Sequence, residues 1–178
     1  AKYIAEHYHG AKVYVIGLDG LRQSLEEEGI EVLSEEAEHA DVLVMGIDWT
    51  ITYDKIVHAC KLVQNGAKLI GTNPDIHFPS EQYFIPGCGS FVELVAKVSK
   101  VEPLFIGKPS TQLLNFIQKE HKFTKSEMVM IGDNYHTDIL CGINFGCDTI
   151  HVNTGVNSTE YVQNQVKKPT KSVEYLSI

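Results

Sequence analysis

Short apolar runs rich in β-branched residues alternate along this chain with stretches whose apolar positions recur at helical spacing. KVYVIG (12–17) predicts a strand, and DGLRQSLEEEG (19–29) predicts a helix closed by Gly29. DVLVMGI (41–47) predicts a second strand. TYDKIVHACKLVQNG (52–66) predicts a helix with Ile56, Ala59, Cys60 and Val63 on one face and a stop at Gly66, and AKLIGTN (67–73) a third strand. PDIHFPSEQYFIPGCGS (74–90) breaks the series with three of the six prolines and is the predicted domain boundary. The series then resumes with a helix over 90–100, the strand PLFIG (103–107), a helix over 110–122, the strand MVMIG (128–132), a helix over 136–146 and a strand over 148–155. The apolar runs do not alternate strictly with polar residues, as expected of parallel strands covered on both faces. Strand and helix in turn predict βαβ units and an α/β class.

A length of 178 residues suits one domain or two small ones, and 43% apolar with 21% charged residues is ordinary for a globular protein. The formal net charge of −8 argues against a nucleic-acid or anionic-membrane partner. It leaves room for a small anionic substrate in a locally positive pocket. No apolar run approaches the roughly 20 residues of a membrane span. Cys60, Cys88, Cys141 and Cys147 form no C-x-x-C pair and no zinc-like cluster, so free thiols in a cytoplasmic protein are expected. The opening AKYIAEHYHGAK has no signal-peptide layout and reads as a linking helix over 1–10 entered part-way, so the chain is expected to begin inside a longer protein.

In parallel sheets, ligands gather at the carboxyl ends of the strands. Lys108 follows PLFIG; Asp133, Asn134 and Asp138 follow MVMIG; Thr72, Asn73 and Asp75 follow KLIG. Asp133, beside Gly132, is placed to ligate a hard cation. Mg²⁺ favours one or two carboxylates completed by water and phosphate oxygens. Asp138, in the first turn of the next helix, could bind a metal-bound water, hold a lysine, or complement the helix dipole. Lys108 could neutralise a phosphate and a carboxylate together. Singly, each has an ordinary reading, a cap for Asp133 and a solvated side chain for Lys108. Together they make G-K-P after one strand and G-D-x-x-x-T-D-I after the next.

IGKPS (106–110) and MIGDNYHTDILCGINFG (130–146) look like the third and fourth motifs of the haloacid dehalogenase (HAD) superfamily. More narrowly the chain resembles its NagD-like phosphatases, also called 4-nitrophenylphosphatases or acid sugar phosphatases. ADVLVMGIDWTITYDKI, NGAKLIGTNPD, IPGCGSFVELV and DTIHVNTGV each look like a family block, in family order. The resemblance implies a Rossmann-like parallel-sheet HAD core, with its C-terminal half at 86–178, and an α/β cap domain at 11–85. It implies Mg²⁺ as cofactor and a small phosphorylated substrate, with homo-oligomerisation left open. Lys108 would steady the nucleophile and the phosphoryl group, Asp133 would be the metal ligand, and Asp138 would act from behind them. In the implied cap, TNPDIHFP (72–79) resembles a loop facing the leaving group. Thr72, Asn73, Asp75 and His77, with Asn134 in the core, are therefore the expected substrate contacts.

The family also needs a D-x-D-G-T-type motif whose first aspartate attacks phosphorus. VIGLDGL (15–21), with Asp19, and MGIDWTIT (45–52), with Asp48, imitate it but place Gly17 and Gly46 at the attacking position. Both are read as imitations inside the cap, and the nucleophile is expected on residues preceding this chain. The 178 residues alone are thus expected to be inactive, with PLFIG and MVMIG in one sheet that lacks a covered edge. The alternative is a non-catalytic module that captures Mg²⁺ and phosphate. A receiver-like signalling domain fits less well, because there the acidic residues precede the lysine.

Overall fold

Every residue of Val42–Met45 is buried, and so is every residue from Val13 to Ile16. That is the pattern of central parallel strands with both faces covered. They lie in the first of two compact units, Ala1–Ile106, in a computed structural model that describes residues 1–177; the second unit begins at Gly107. The first unit runs α1 (Lys2–His7), β1 (Lys12–Ile16), α2 (Asp19–Glu27), β2 (Glu31–Val32), β3 (Val42–Met45), α3 (Tyr53–Gln64) and β4 (Lys68–Gly71). It continues through β5 (His77–Pro79), β6 (Phe84–Pro86), α4 (Cys88–Ser99) and β7 (Leu104–Phe105). Five of these strands form one parallel sheet, in the order β2-β1-β3-β4-β7.

Successive side chains of a strand point to opposite faces, and the core divides accordingly. Tyr14, Ile16, Leu43 and Met45 pack with Ala59, Leu62 and Val63 of α3 and Val92 and Val95 of α4. Val13, Val15, Val42 and Val44 pack with Ile4 of α1 and Leu25 of α2. Helix α3 starts at Thr52, whose hydroxyl accepts the Lys55 N–H at 3.2 Å, an N-cap contact of the common kind.

The second unit contains α5 (Gln112–His121), β8 (Val129–Gly132), α6 (Leu140–Phe145), β9 (Asp148–Val152), α7 (Thr159–Gln163) and β10 (Lys171–Val173). Its parallel sheet has the order β10-β9-β8, so β8 is an edge strand. On β8, Val129 is 49% and Ile131 38% exposed. Between β8 and α6 the chain makes a π-helical turn, Tyr135–Ile139, in which the Asn134 carbonyl accepts from the N–H groups of both Asp138 and Ile139. Among the described residues no helix is long and apolar enough to cross a membrane.

The α/β class and the parallel five-stranded sheet agree with the sequence, while the shared sheet of PLFIG and MVMIG and the form of 74–90 need correction. The compact units themselves divide after Ile106. The physical reason is α4, whose Cys88, Val92, Val95 and Ala96 lie in the core beside α3. PLFIG and MVMIG do not share a sheet: Leu104 and Phe105 pair with Ile70 and Gly71, while Val129–Gly132 pairs with β9. Lastly, the stretch 74–90 is not all irregular, since β5 and β6 close an antiparallel hairpin in it.

Candidate active site

In the second unit, Lys108 Nζ lies 2.5 Å from Asp138 Oδ1. Asp138 is buried, with 5% of its surface exposed, and its Oδ2 accepts the Asn134 N–H at 3.2 Å. A buried carboxyl group is costly unless it has hydrogen-bond and charge partners, and Asp138 has both in Lys108 and the Asn134 N–H. The Lys108 side chain remains 42% exposed, so its ammonium is anchored from below and open above. The Lys108–Pro109 peptide bond is cis. Gly132 is required here by close approach: a Cβ on it would stand 2.3 Å from the Asp138 carboxylate.

Asp133 leaves the end of β8 next to this pair in sequence. Its Oδ2 accepts the Val156 N–H at 2.7 Å, and its backbone carbonyl accepts the Asn157 N–H at 3.1 Å. Gly155 lets the loop come this close, since a Cβ there would meet Asp133 Oδ2 at 1.9 Å. Oδ1 has no hydrogen-bond partner among the described residues. Asn134 spends its side-chain oxygen on the His136 N–H at 3.0 Å, capping the π-helical turn. Its placement is thus that of a cap, with its amide nitrogen left over.

The donor set suits Mg²⁺ in kind: the carboxylate of a half-buried aspartate, with Oδ2 tied back and Oδ1 without a partner among the described residues. It does not form a cage. No group of three or more His, Cys, Asp or Glu able to hold a metal occurs among the described residues. Mg²⁺ tolerates this because it takes few protein ligands and fills its octahedron with water and phosphate oxygens.

Thr72, Asn73, Asp75 and His77 belong to the first unit. Thr72 follows β4 and lies 3.7 Å from Cys88 Sγ. Asn73 Oδ1 accepts the Asp75 N–H at 3.1 Å, an Asx turn that points the chain into the hairpin. Asp75 is exposed, and so is His77, whose ring packs on Phe84 with centroids 4.3 Å apart. Trp49 meets the same hairpin edge-on at Phe78, 5.7 Å between centroids.

The two nucleophile-like stretches also lie in the first unit. A side chain at Gly17 or Gly46 would run into Leu21 Cδ2, at 2.9 and 3.0 Å respectively. Asp48 is occupied structurally: its carboxylate takes Lys55 Nζ at 2.8 Å and both the N–H and hydroxyl of Thr50. Burial pushes its carboxyl up, but the hydrogen bonds from Lys55 and Thr50 outweigh this and hold it below the ordinary aspartate value.

Residues 105–177 match the HAD-hydrolase-like family model. Across the whole chain, identity is 42% to an acid sugar phosphatase of Staphylococcus epidermidis, covering 100% of this chain and 68% of that protein. The chain belongs to the haloacid dehalogenase-like hydrolases. A 5'-nucleotidase YutF of Bacillus subtilis is also 42% identical, over 99% of this HAD-like chain and 68% of its own length. Among solved structures, the NPPase of Geobacillus stearothermophilus superposes with a TM-score of 0.88 at 40% identity, covering 97% of this chain and 67% of that one. The 4-nitrophenylphosphatase of Thermotoga maritima gives 0.87 at 29%, covering 97% and 66%. The chain thus spans about two thirds of these relatives.

Sequence reasoning missed the 155–157 loop and His151 beneath it. The sequence places Gly155 at the end of the strand over 148–155, whereas β9 ends at Val152. Nothing local marked the glycine as the surface against which Asp133 packs.

Proposed function

We propose that this HAD-like chain carries the lysine and metal-binding half of a phosphomonoesterase site. One observation carries the reading: a half-exposed lysine side chain, Lys108, held by Asp138, whose other oxygen accepts the N–H of Asn134, the residue next to Asp133. Lys108 and Asp133 sit where chemistry is placed in parallel sheets, beyond the carboxyl ends of strands. The names of the relatives, sugar phosphatase, nucleotidase and nitrophenylphosphatase, support a small phosphorylated substrate.

In this reading Asp133 holds Mg²⁺, which when bound supplies positive charge for the phosphoryl oxygens. Lys108 places its ammonium on the same oxygens and offsets charge that builds in the transition state. Asp138 keeps Lys108 oriented and does not itself touch substrate. The attacking carboxylate comes from outside these residues, on a strand that adds in parallel to the open edge of β8. A strand there would end beside Gly132 and Asp133. Attack by its aspartate on phosphorus forms the Asp–O–P bond and breaks the P–O bond to the leaving group, which takes a proton from the motif's second aspartate; water, deprotonated by that same aspartate, then attacks phosphorus, releases inorganic phosphate and returns the carboxylate. The cap is assigned to 11–85, and Thr72, Asn73, Asp75 and His77 within it are proposed to set which phosphomonoester is used. Four unpaired thiols, three of them buried, support a cytoplasmic setting.

The test is phosphate release from p-nitrophenyl phosphate with Mg²⁺, first with the 178-residue chain alone and then with an enzyme in which it is joined to a D-x-D-G-T-bearing segment. No turnover is expected in the first case and robust turnover in the second. In the joined enzyme Asp133→Ala should abolish activity, and Lys108→Ala should lower kcat by about 10²–10³-fold. Turnover by the chain alone, or near-normal turnover of Asp133→Ala, refutes the reading. A joined enzyme that binds phosphate but never turns over would instead support a capture module.

A further inference from the structure

β9 runs Asp148-Thr149-Ile150-His151-Val152, and its imidazole is fully buried, with 0% of the residue exposed. His151 Nε2 lies 2.9 Å from the backbone oxygen of Asn157. A carbonyl oxygen can only accept, so the Nε2–H donates in this contact. Nδ1 is buried and has no partner. An unmet polar atom in a core needs a reason, because a leucine or isoleucine would fill similar space without one.

The reason lies in what Asn157 does. Its N–H donates to the Asp133 carbonyl at 3.1 Å. Its side-chain oxygen accepts the Tyr135 N–H at 2.8 Å. Its neighbour Val156 gives its N–H to Asp133 Oδ2 at 2.7 Å. Asn157 therefore holds both ends of the Asp133–Tyr135 segment, and His151 holds Asn157 from inside the sheet.

We propose that His151 is a positioning residue for the metal site. By donating to the Asn157 carbonyl it fixes the 155–157 loop against Asp133. The loop ties back Oδ2 and leaves Oδ1 without a hydrogen-bond partner among the described residues. This inference rests on the reading of Asp133 as a metal ligand. Groups that orient a metal ligand from behind typically change affinity or activity by about 10–100-fold when removed. Only the Nε2–H is required, so a glutamine, whose amide nitrogen has comparable reach, should serve in its place.

The experiment uses the full 178-residue chain and Mn²⁺ as the probe, with free ion measured by electron paramagnetic resonance. His151→Leu is expected to bind Mn²⁺ about tenfold or more weakly, with an unfolding midpoint no lower than that of the parent. His151→Gln should return affinity to within about threefold of the parent. His151→Met also lacks the donor and carries the test should His151→Leu fail to fold. Parent-like affinity in His151→Leu or His151→Met overturns the proposal, as does a glutamine no better than leucine. Should Asp133→Ala bind Mn²⁺ like the parent, the metal assignment has failed instead. Amide hydrogen exchange at Val156 and Tyr135 then decides the positioning role separately. It should accelerate in His151→Leu and stay slow in His151→Gln, and unchanged exchange in His151→Leu overturns the proposal.

Discussion

Asp48 and Asp138 are both buried carboxylates held by a lysine, but with different consequences. Lys55 is 33% exposed and shares its ammonium between Asp48 and Thr50 at 3.0 Å, so that pair is a brace within the first unit. Lys55→Ala should destabilise that unit by about 1–3 kcal/mol, leaving a buried carboxylate without its cation. The pH dependence follows from the sign of the shift. The folded Asp48 carboxyl lies below its ordinary value, so its contribution is fully present above about pH 3.9, the unfolded value. That contribution is lost as pH falls through the lower folded value. Urea melts between about pH 5 and 2 should show an acid limb that flattens in Asp48→Asn; an unchanged limb would assign it to other carboxylates. Residues of this kind differ in how far the sequence reveals them. Lys108, Asp133 and Asp138 stand out because strand ends are where parallel sheets place chemistry. Gly46 shows what Asp48 does not do, yet its actual partners, Thr50 and Lys55, follow no motif. His151 is invisible, since one histidine in an apolar strand has no pattern around it.

At the scale of elements, the hairpin β5–β6 is a separate device from the sheet it leaves. Exposed His77 stands on it, and Asn73 and exposed Asp75 form its entrance, so substitutions there should reorder kcat/KM across a panel of phosphomonoesters in the joined enzyme. An aromatic, a nucleoside and a sugar phosphate would make a sufficient panel. Relative changes of about 10–200-fold are the scale of small pocket alterations; a uniform loss for every substrate would mean that the hairpin assembles the site instead. The long elements were legible because helical spacing and glycine stops bracket them, as in α2 and α3. The hairpin was not, because its strands are three residues each and rich in proline. β2 and β7, with two residues each, are defined only by their neighbours. The π-helical turn was read as ordinary helix, since one widened turn barely alters the spacing of apolar positions.

For the whole molecule, the division after Ile106 decides which pieces can stand alone. A chain of residues 1–106 keeps α4 and β7 and should unfold cooperatively in urea. A chain of residues 1–85 loses Cys88, Val92, Val95 and Ala96 from its core. At about 1.5–3 kcal/mol for each large buried side chain, that loss exceeds what a small domain can spare. It should show no cooperative transition by circular dichroism, and a sharp transition would mean that residues 1–85 stand alone. The strand order β2-β1-β3-β4-β7 has a temporal meaning as well. After β1, each new strand joins the sheet at an edge that earlier residues have already built, so no place has to be kept open for a latecomer. A ribosome releasing this chain could therefore let the sheet grow outward at the pace of translation, with each helix closing over it before the next strand emerges.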